Sequence, residues 1–270
     1  MQMKSKTVKQ YASFALSASS QLQSQEIVPT RGDIIGFDFN LTVDSVGTLV
    51  TPTKVTAAIE KLLIADKSGK PLIDCAGTDL PFIALLLSPH GSYDAPADNS
   101  TSSPVWNDLL ALTGKLEDQP LFIQVTFAPY SALAASGTTG ATVDFTIGVW
   151  YGQATQTLRV YKKVITGVVG DNYVDNVLNN GKITQSLSFR VGTESNLTSV
   201  TFSPTGATDD YQALLKQQII DLENDAYKDE HQTGLFNLFV EPFEFSTANS
   251  SVDIVLSGTD TITVYQIATN

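Results

Sequence analysis

Residues 32 to 44 read Gly-Asp-Ile-Ile-Gly-Phe-Asp-Phe-Asn-Leu-Thr-Val-Asp, in which Ile35, Phe37, Phe39, Leu41 and Val43 alternate with Gly36, Asp38, Asn40, Thr42 and Asp44. A helix with about 3.6 residues per turn would spread those apolar side chains around its circumference, whereas a strand places all of them on one face. The stretch therefore demands a sheet with one buried side. The same pattern returns in Asn179-Asn-Gly-Lys-Ile-Thr-Gln-Ser-Leu-Ser-Phe-Arg-Val-Gly192, where Ile183, Leu187, Phe189 and Val191 follow Gly181 as the earlier residues follow Gly32. Charged residues make up 16% of the chain, while Thr, Ser, Asn, Gly and Val are abundant, which suits strands and polar turns better than surface helices. The expected class is all-β, and 270 residues with 42% hydrophobic content suffice for one large β domain or two ordinary ones.

Between the two alternating stretches, residues 55–77 read as a hairpin turning at Ser68-Gly69, because Asp66-Lys-Ser-Gly separates two apolar runs, although Ala57 to Leu63 also fit a helix. Residues 88–104, rich in Pro, Ser, Asn and Asp, read as a long loop. Trp106 opens a predicted short helix with Asn107-Asp108 in its first turn and Leu109, Leu110, Leu112 and Leu116 as its apolar residues, ended by Gly114 or Pro120. Strands follow at Leu121 to Phe127 and at Val143 to Val149, the second after the Gly-Thr-Thr-Gly turn at 137–140. Residues 157–169, TLRVYKKVITGVV, mark a changeover after which the grammar restarts. A second helix is predicted over 209–224, opened by Asp209-Asp210 and carrying Tyr211, Leu214, Leu215, Ile219 and Leu222 at helical spacing. Strands are predicted at 235–240, 252–256 and 261–267. Residues 1–30 read as an N-terminal arm, basic through Lys4, Lys6 and Lys9 against Glu26 alone. Within it, Val8, Tyr11, Ala12 and Ala15 outline a weakly amphipathic helix over about 4–18, the other reading being a frayed terminus.

Each half thus runs from a Gly-led alternating strand through further strands to an aromatic residue followed by Leu-Leu in a helix, a Leu-Phe strand and closing hairpins. One helix per unit, twice, points to two similar β domains, most simply two eight-stranded jelly rolls over 31–156 and 157–270. This order of elements, WNDLL and YQALL before their Leu-Phe strands included, resembles the double jelly-roll major capsid proteins of membrane-containing icosahedral bacteriophages and of adenovirus hexon. The resemblance spans nearly the whole chain and implies a viral structural protein without catalytic residues. Three two-domain copies would present six similar domains, so a homotrimer would fill a six-fold position and tile an icosahedral shell. It further implies neighbouring capsid trimers and penton or minor capsid proteins as partners, and a virion location after synthesis in the host cytoplasm. An internal lipid membrane would be met by the arm, with Lys4, Lys6 and Lys9 on the inner side, each worth about 1 kcal/mol against anionic lipid. Low charge also fits a subunit whose flanks are interfaces.

Composition narrows the alternatives. A net charge of −12 and a sequence pI near 4.4 repel a phosphate backbone, so direct nucleic-acid binding is not expected. One cysteine, Cys75, excludes an internal disulfide and reads as a small buried thiol, and the histidines, His90 and His231, lie in polar segments. No window of about 18 apolar residues spans a membrane, no export signal is evident, and no nucleophile elbow, P-loop or dinucleotide fingerprint occurs. Four sequons, at Asn40, Asn99, Asn196 and Asn249, read as coincidences of a Ser/Thr-rich chain. The rival readings are a fibre or adhesin module, which would carry an export signal, and a carbohydrate-binding or sugar-cleaving pair of sandwiches. The latter would use Glu241 with Glu244 or Asp253 with Asp260 as its acids, and Trp106, Trp150 and Tyr151 as a stacking platform. No cofactor is expected; structural calcium at Asp94 and Asp98 or Asp209 and Asp210 stays open, without a spaced motif to assign it.

Overall fold

Both alternating stretches become inner strands of antiparallel sheets in the computed structural model, which describes residues 4–23, 25–29, 32–46, 52–87, 97–98, 104–116, 119–133, 140–174, 183–203, 213–227, 234–238, 243–244 and 251–269. The chain divides into two compact units, the break falling between Leu158 and Arg159.

The first unit contains β1 (Lys4–Leu16), β2 (Gln21–Leu22), β3 (Glu26–Val28), β4 (Asp33–Val46), β5 (Ile59–Ala65), β6 (Pro71–Cys75), α1 (Leu80–Leu87), β7 (Ala97–Asp98), β8 (Pro104–Leu110), β9 (Leu121–Phe127) and β10 (Gly140–Gly152). One sheet runs β1-β10-β4-β8-β7; the other runs β2-β9-β5-β6, with β3 also on β9. Counting β2 and β3 as one broken strand and setting aside the two-residue β7, strands first, eighth, third and sixth form one sheet and second, seventh, fourth and fifth the other. That is the jelly-roll order. Of the five alternating residues of β4, Phe37, Phe39, Leu41 and Val43 are buried, but Ile35 is only half-buried: a register shift against β10 between Gly36 and Ile34 turns Ile34 into the core in its place. Rings from both sheets meet in the core: Tyr11 of β1 sits edge-on to Phe127 of β9 at 5.1 Å, and Phe14 stacks on Phe127 at 4.5 Å.

The second unit contains β11 (Leu158–Gly167), β12 (Gly170–Tyr173), β13 (Ile183–Val191), β14 (Leu197–Ser203), β15 (Leu214–Leu215), α2 (Lys216–Tyr227), β16 (Leu235–Leu238), β17 (Phe243–Glu244), β18 (Ser251–Leu256) and β19 (Asp260–Thr269). Its sheets, β11-β19-β13-β16 and β12-β18-β14-β15, repeat the same order, with β17 added on β13. Leu187, Phe189, Phe236, Ile254, Leu256 and Val264 belong to one buried cluster, with Ile219 of α2 in it. The fold is a double jelly roll, and among the described residues each roll carries one α-helix between its fifth and sixth strands.

Two sequence expectations fail, and one element was not foreseen. Residues 4–18 are neither a helix nor a frayed end: β1 pairs with β10 from Lys4↔Tyr151 to Leu16↔Ala141 and supplies the first strand of its roll. Register shifts between Thr7 and Lys9 and between Tyr11 and Phe14 reset the alternation twice, so no period of two survives, and the chance stripe of Val8, Tyr11, Ala12 and Ala15 mimics a helix. Residues 106–110 belong to a strand, β8, with Trp106 opposite Leu41 and Leu110 opposite Phe37. The first unit's helix is instead α1, Leu-Pro-Phe-Ile-Ala-Leu-Leu-Leu, of which only Phe82 is not buried. A helix apolar all round has no amphipathic stripe to announce it.

Other expectations hold. The hairpin at 66–70 is knitted by Asp66 Oδ1, which accepts from Ser68 N at 2.8 Å and Lys70 N at 3.1 Å, with Gly69 at φ 78°. Strands predicted at 252–256 and 261–267 lie within β18 and β19. The second helix exists but begins at Lys216, after the short β15; residues 209–212 of its predicted range lie outside the described residues. So do most of the 88–104 loop and of the turn at 137–140. No helix among the described residues is long and apolar enough to cross a membrane.

Candidate assembly surface

A strand at the rim of a sheet leaves half its backbone groups unpaired, and native proteins protect such rims or use them. In the first roll the first two strands form one flank, and there Leu22 and Ile27 are 63% and 67% exposed. In the second roll the corresponding flank, β11 and β12 with their connection, exposes Val164, Val168, Val169 and Tyr173. The opposite flank of the second roll exposes Leu215 of β15 and Leu222 of α2. These are all the large apolar side chains exposed among the described residues, and every one lies on a flank. Sequence reading singled out none of them as surface. The signal was present: Val168 and Val169 adjoin in sequence just before Gly170, which has φ 95°, and two neighbouring residues at a turn cannot both face one core.

Polar residues fix these flanks. Asn172 of β12 accepts from Val168 N at 2.8 Å and donates Nδ2 to Val168 O, Gly170 O and Ile254 O, which binds the β11–β12 connection to β18. Lys9 pairs with Glu26 and lies 4.6 Å from the centre of the Tyr11 ring, which ties β1 to β3. Burial, then the Glu26 charge, push the Tyr11 hydroxyl up to about 12. Lys6 is exposed on β1, and Lys4 heads that strand. On the other flank Glu223 of α2 is buried and its Oε1 accepts from Asn237 N at 2.5 Å, while Ser188 Oγ donates to Asn237 Oδ1 at 2.6 Å. That chain fastens α2 to β16 and β13.

The acids considered for sugar chemistry have structural surroundings of their own. Asp260 opens β19 and accepts from Thr193 N at 2.7 Å, Asn196 Nδ2 at 2.9 Å and Thr261 N at 2.7 Å, latching the β13–β14 connection to the start of β19. Burial alone would raise its carboxyl; those donors outweigh it and hold it below the usual range. Asp253 of β18 moves the other way, raised by burial and by the Asp171 charge, with Asn172 N–H opposing. Glu241 lies outside the described residues, as do His90, His231, Asp94, Asp209 and Asp210. Trp106 cannot join a sugar platform with Trp150 and Tyr151. It points inward from β8, buried against Phe39 at 6.0 Å, while Trp150 is only half-buried, out of phase with the buried Val149. Cys75 is buried, as the sequence led one to expect. Among the described residues no group of three or more metal-ligating side chains gathers.

No family model matches the sequence, and no curated protein matches it by sequence. Solved structures do resemble it along its full length. The STIV MCP, of Sulfolobus Turreted Icosahedral Virus, superposes with a TM-score of 0.71 at 12% identity, covering 100% of this chain and 97% of that one. The major capsid protein P2 from Bacteriophage PM2 gives 0.65 at 10% identity, over 100% and 97% of the two chains. The PBCV-1 virus capsid gives 0.67 at 8% identity, over 100% and 93%. Coverage near unity in both directions means that both rolls match, with little left over on either side. This chain has the double jelly-roll fold of those viral major capsid proteins.

Proposed function

We propose that the chain is a viral major capsid subunit: a homotrimer-forming protein that tiles an icosahedral shell by contacts between its flanks, and whose role is structural, not enzymatic. The observation that carries this reading is the end-to-end match of both rolls to capsid proteins, joined by the large apolar side chains that, among the described residues, are exposed on the flanks. A trimer of two-roll chains presents six similar units to its neighbours, the requirement of a six-fold position. Its partners would be further copies, neighbouring trimers and penton or minor capsid proteins, its location the virion, and its place of synthesis the host cytoplasm. Light scattering coupled to size exclusion tests the oligomer: three times 29.0 kDa, about 87 kDa, is expected, and a monomer at every concentration overturns the reading.

An internal lipid membrane would lie under the start of the first strand, where Lys4 and Lys6 meet no acid in sequence before Glu26. Each would gain about 1 kcal/mol from anionic lipid. Lys9, already paired with Glu26, would contribute less. Because β1 is a sheet strand, deleting residues 1–25 would disrupt the first roll itself, so the informative variant is Lys4→Gln with Lys6→Gln. Flotation with anionic vesicles should fall for that variant; unchanged flotation overturns the lipid role.

A further inference from the structure

Two equivalent surfaces are covered in one roll and open in the other, and the open pair identifies a docking contact. The first surface is the helix side. In the first roll α1 is buried along its length, Phe82 apart, whereas in the second α2 leaves Leu222 48% exposed and Leu215, just before the helix, 56% exposed. The second surface is the outward face of the sheet that holds the first strand of each roll. In the second roll Phe189 of β13 and Val264 of β19 oppose each other and belong to the core, so the neighbouring opposed pair, Ser188 and Tyr265, faces outward. Both are fully buried, and Ile267, two residues further along β19, is buried too. In the first roll the same face is open: Asn40 and Asp44 of β4 are exposed, and Asp144, Thr146 and Trp150 of β10 are only partly covered.

The open helix side therefore lies on the second roll and the open sheet face on the first. Six rolls around a six-fold position alternate between first and second, and like surfaces take like neighbours, so a second roll meets the first roll of the next copy with the surface that each has open. The two surfaces also match in chemistry. On the sheet face Trp150 stands opposite Gly36, and two residues back along β10 the Asp38 carboxylate lies over Gly148, where a Cβ would meet it at 2.0 Å. On the other side of β10, β1 sets Thr7 opposite Gly148 and Gln10 opposite Thr146, both exposed and uncharged. β4 and β1, with β10 between them, are about 10 Å apart, and the seven residues from Leu215 to Leu222 cover about the same distance. A helix laid across the three strands would bring Lys216 to Asp38, Leu215 and Leu222 onto Trp150 and Gly148, and the exposed Asp221 and Asp225 to the donors of Thr7 and Gln10. The reverse direction would set those aspartates against Asp38.

We infer that α2 of the second roll docks on the outward face of β1, β10 and β4, at Trp150 and Gly148, in the first roll of another copy of this chain. The contact joins two different surfaces, so it is head-to-tail, and three repetitions close a ring in which first and second rolls alternate. The flanks that expose Ile27 and Val164 take no part in it and are left for neighbouring trimers. The inference rests on the trimer reading above and names the contact within it.

Cysteine cross-linking of the full chain tests it, with the buried Cys75 left in place. In the double variant Leu222→Cys with Thr7→Cys, oxidation should convert the chain into covalent trimers, whereas each single substitution should stay uncross-linked. Linkage of Leu222→Cys alone would mean a self-complementary contact and overturn the inference. Preferential linkage of Leu222→Cys with Val164→Cys would set second roll against second roll and also overturn it, as would no linkage in either pair. Charge exchange gives a second readout. Lys216→Glu and Asp38→Lys should each raise the concentration at which the trimer dissociates about tenfold, and the two together should recover most of the loss; losses that simply add overturn the placement. A wild-type chain that is monomeric throughout overturns the trimer reading itself, whereas a wild-type trimer with the wrong cross-links overturns only this contact.

Discussion

The helices α1 and α2 occupy equivalent connections and solve opposite problems. α1 is Leu-Pro-Phe-Ile-Ala-Leu-Leu-Leu, with no charge and almost no exposed surface; α2 is Lys-Gln-Gln-Ile-Ile-Asp-Leu-Glu-Asn-Asp-Ala-Tyr, held by Ile219 and by the hydrogen-bonded carboxylate of Glu223. The first is satisfied by packing alone. The second is held by Ile219, with Ile220 partly buried beside it, and by Glu223, while Gln217, Gln218, Asp221, Leu222, Asn224 and Asp225 are exposed. Fold order is thus shared between the rolls while the means of holding the order is not, and the element with unfinished contacts is the one to suspect of meeting a partner.

The sharpest way to break that contrast is to put a charge on each helix. Ile83→Asp buries a carboxylate in α1 with no partner, and should cost about 3 kcal/mol or more, enough to unfold the first roll. Leu222→Asp, on the exposed side of α2, should stay within about 0.5 kcal/mol of wild type. Urea midpoints measured on both variants decide it. Equal losses would mean that α2 is as much a core element as α1.

Glu223→Ala comes next in size. It leaves Asn237 N–H buried without its acceptor, a loss of about 1–3 kcal/mol, and frees α2 from β16 without touching Ile219. Hydrogen exchange should show the α2 amides opening before those of β13 and β19. Uniform destabilisation would mean that the helix and sheet behave as one unit and that the polar tie is incidental.

The sequence announced β4 and β13 because the period of two runs on for several residues in each, past one register shift near the start, between Ile34 and Gly36 and between Thr184 and Ser186. It hid β1, where two bulges shift the phase, and it hid α1, whose apolar circumference has no period at all. It also lured a helix onto β8: Leu109, Leu110 and Leu112 satisfy helical spacing, yet pairing with β4 and the burial of Trp106 against Phe39 override that local preference. The repeat itself was legible as an order of elements, although its helix was matched to the wrong segment of the first roll. Of the candidate surface, the lysines of β1 were visible as composition. The apolar flanks were not, since exposure depends on which strands end up at a sheet edge, and that is settled by long-range pairing.

Satisfied and unsatisfied groups can also be compared on two consecutive strands, β18 and β19, which lie in different sheets. Asp260 is fully engaged by Thr193, Asn196 and Thr261, and its carboxyl is held below the usual range. Such a group adds stability above the unfolded carboxylate value and loses it as pH falls through the lower folded value. Asp260→Asn should therefore cost about 1 kcal/mol at neutral pH, with the gap to wild type closing on acidification through the range below about pH 4. Thermal melts at several pH values read this directly; a gap independent of pH would assign the loss to shape, not charge.

Asp253 should give the smallest effect and the opposite sign. Its Oδ1 is buried without a hydrogen-bond partner among the described residues, and burial and Asp171 raise its carboxyl. A raised folded value means that the protonated form is the better fit: its contribution is full below the unfolded carboxylate value and is lost as pH rises through the folded one. At neutral pH the wild type carries an ionised group that the fold disfavours. Asp253→Asn keeps the shape and removes the charge, so it should raise the melting temperature by a few tenths of a kcal/mol equivalent at pH 7 and lose that advantage in acid. If the variant were instead destabilised at pH 7, the charge would have to be in use.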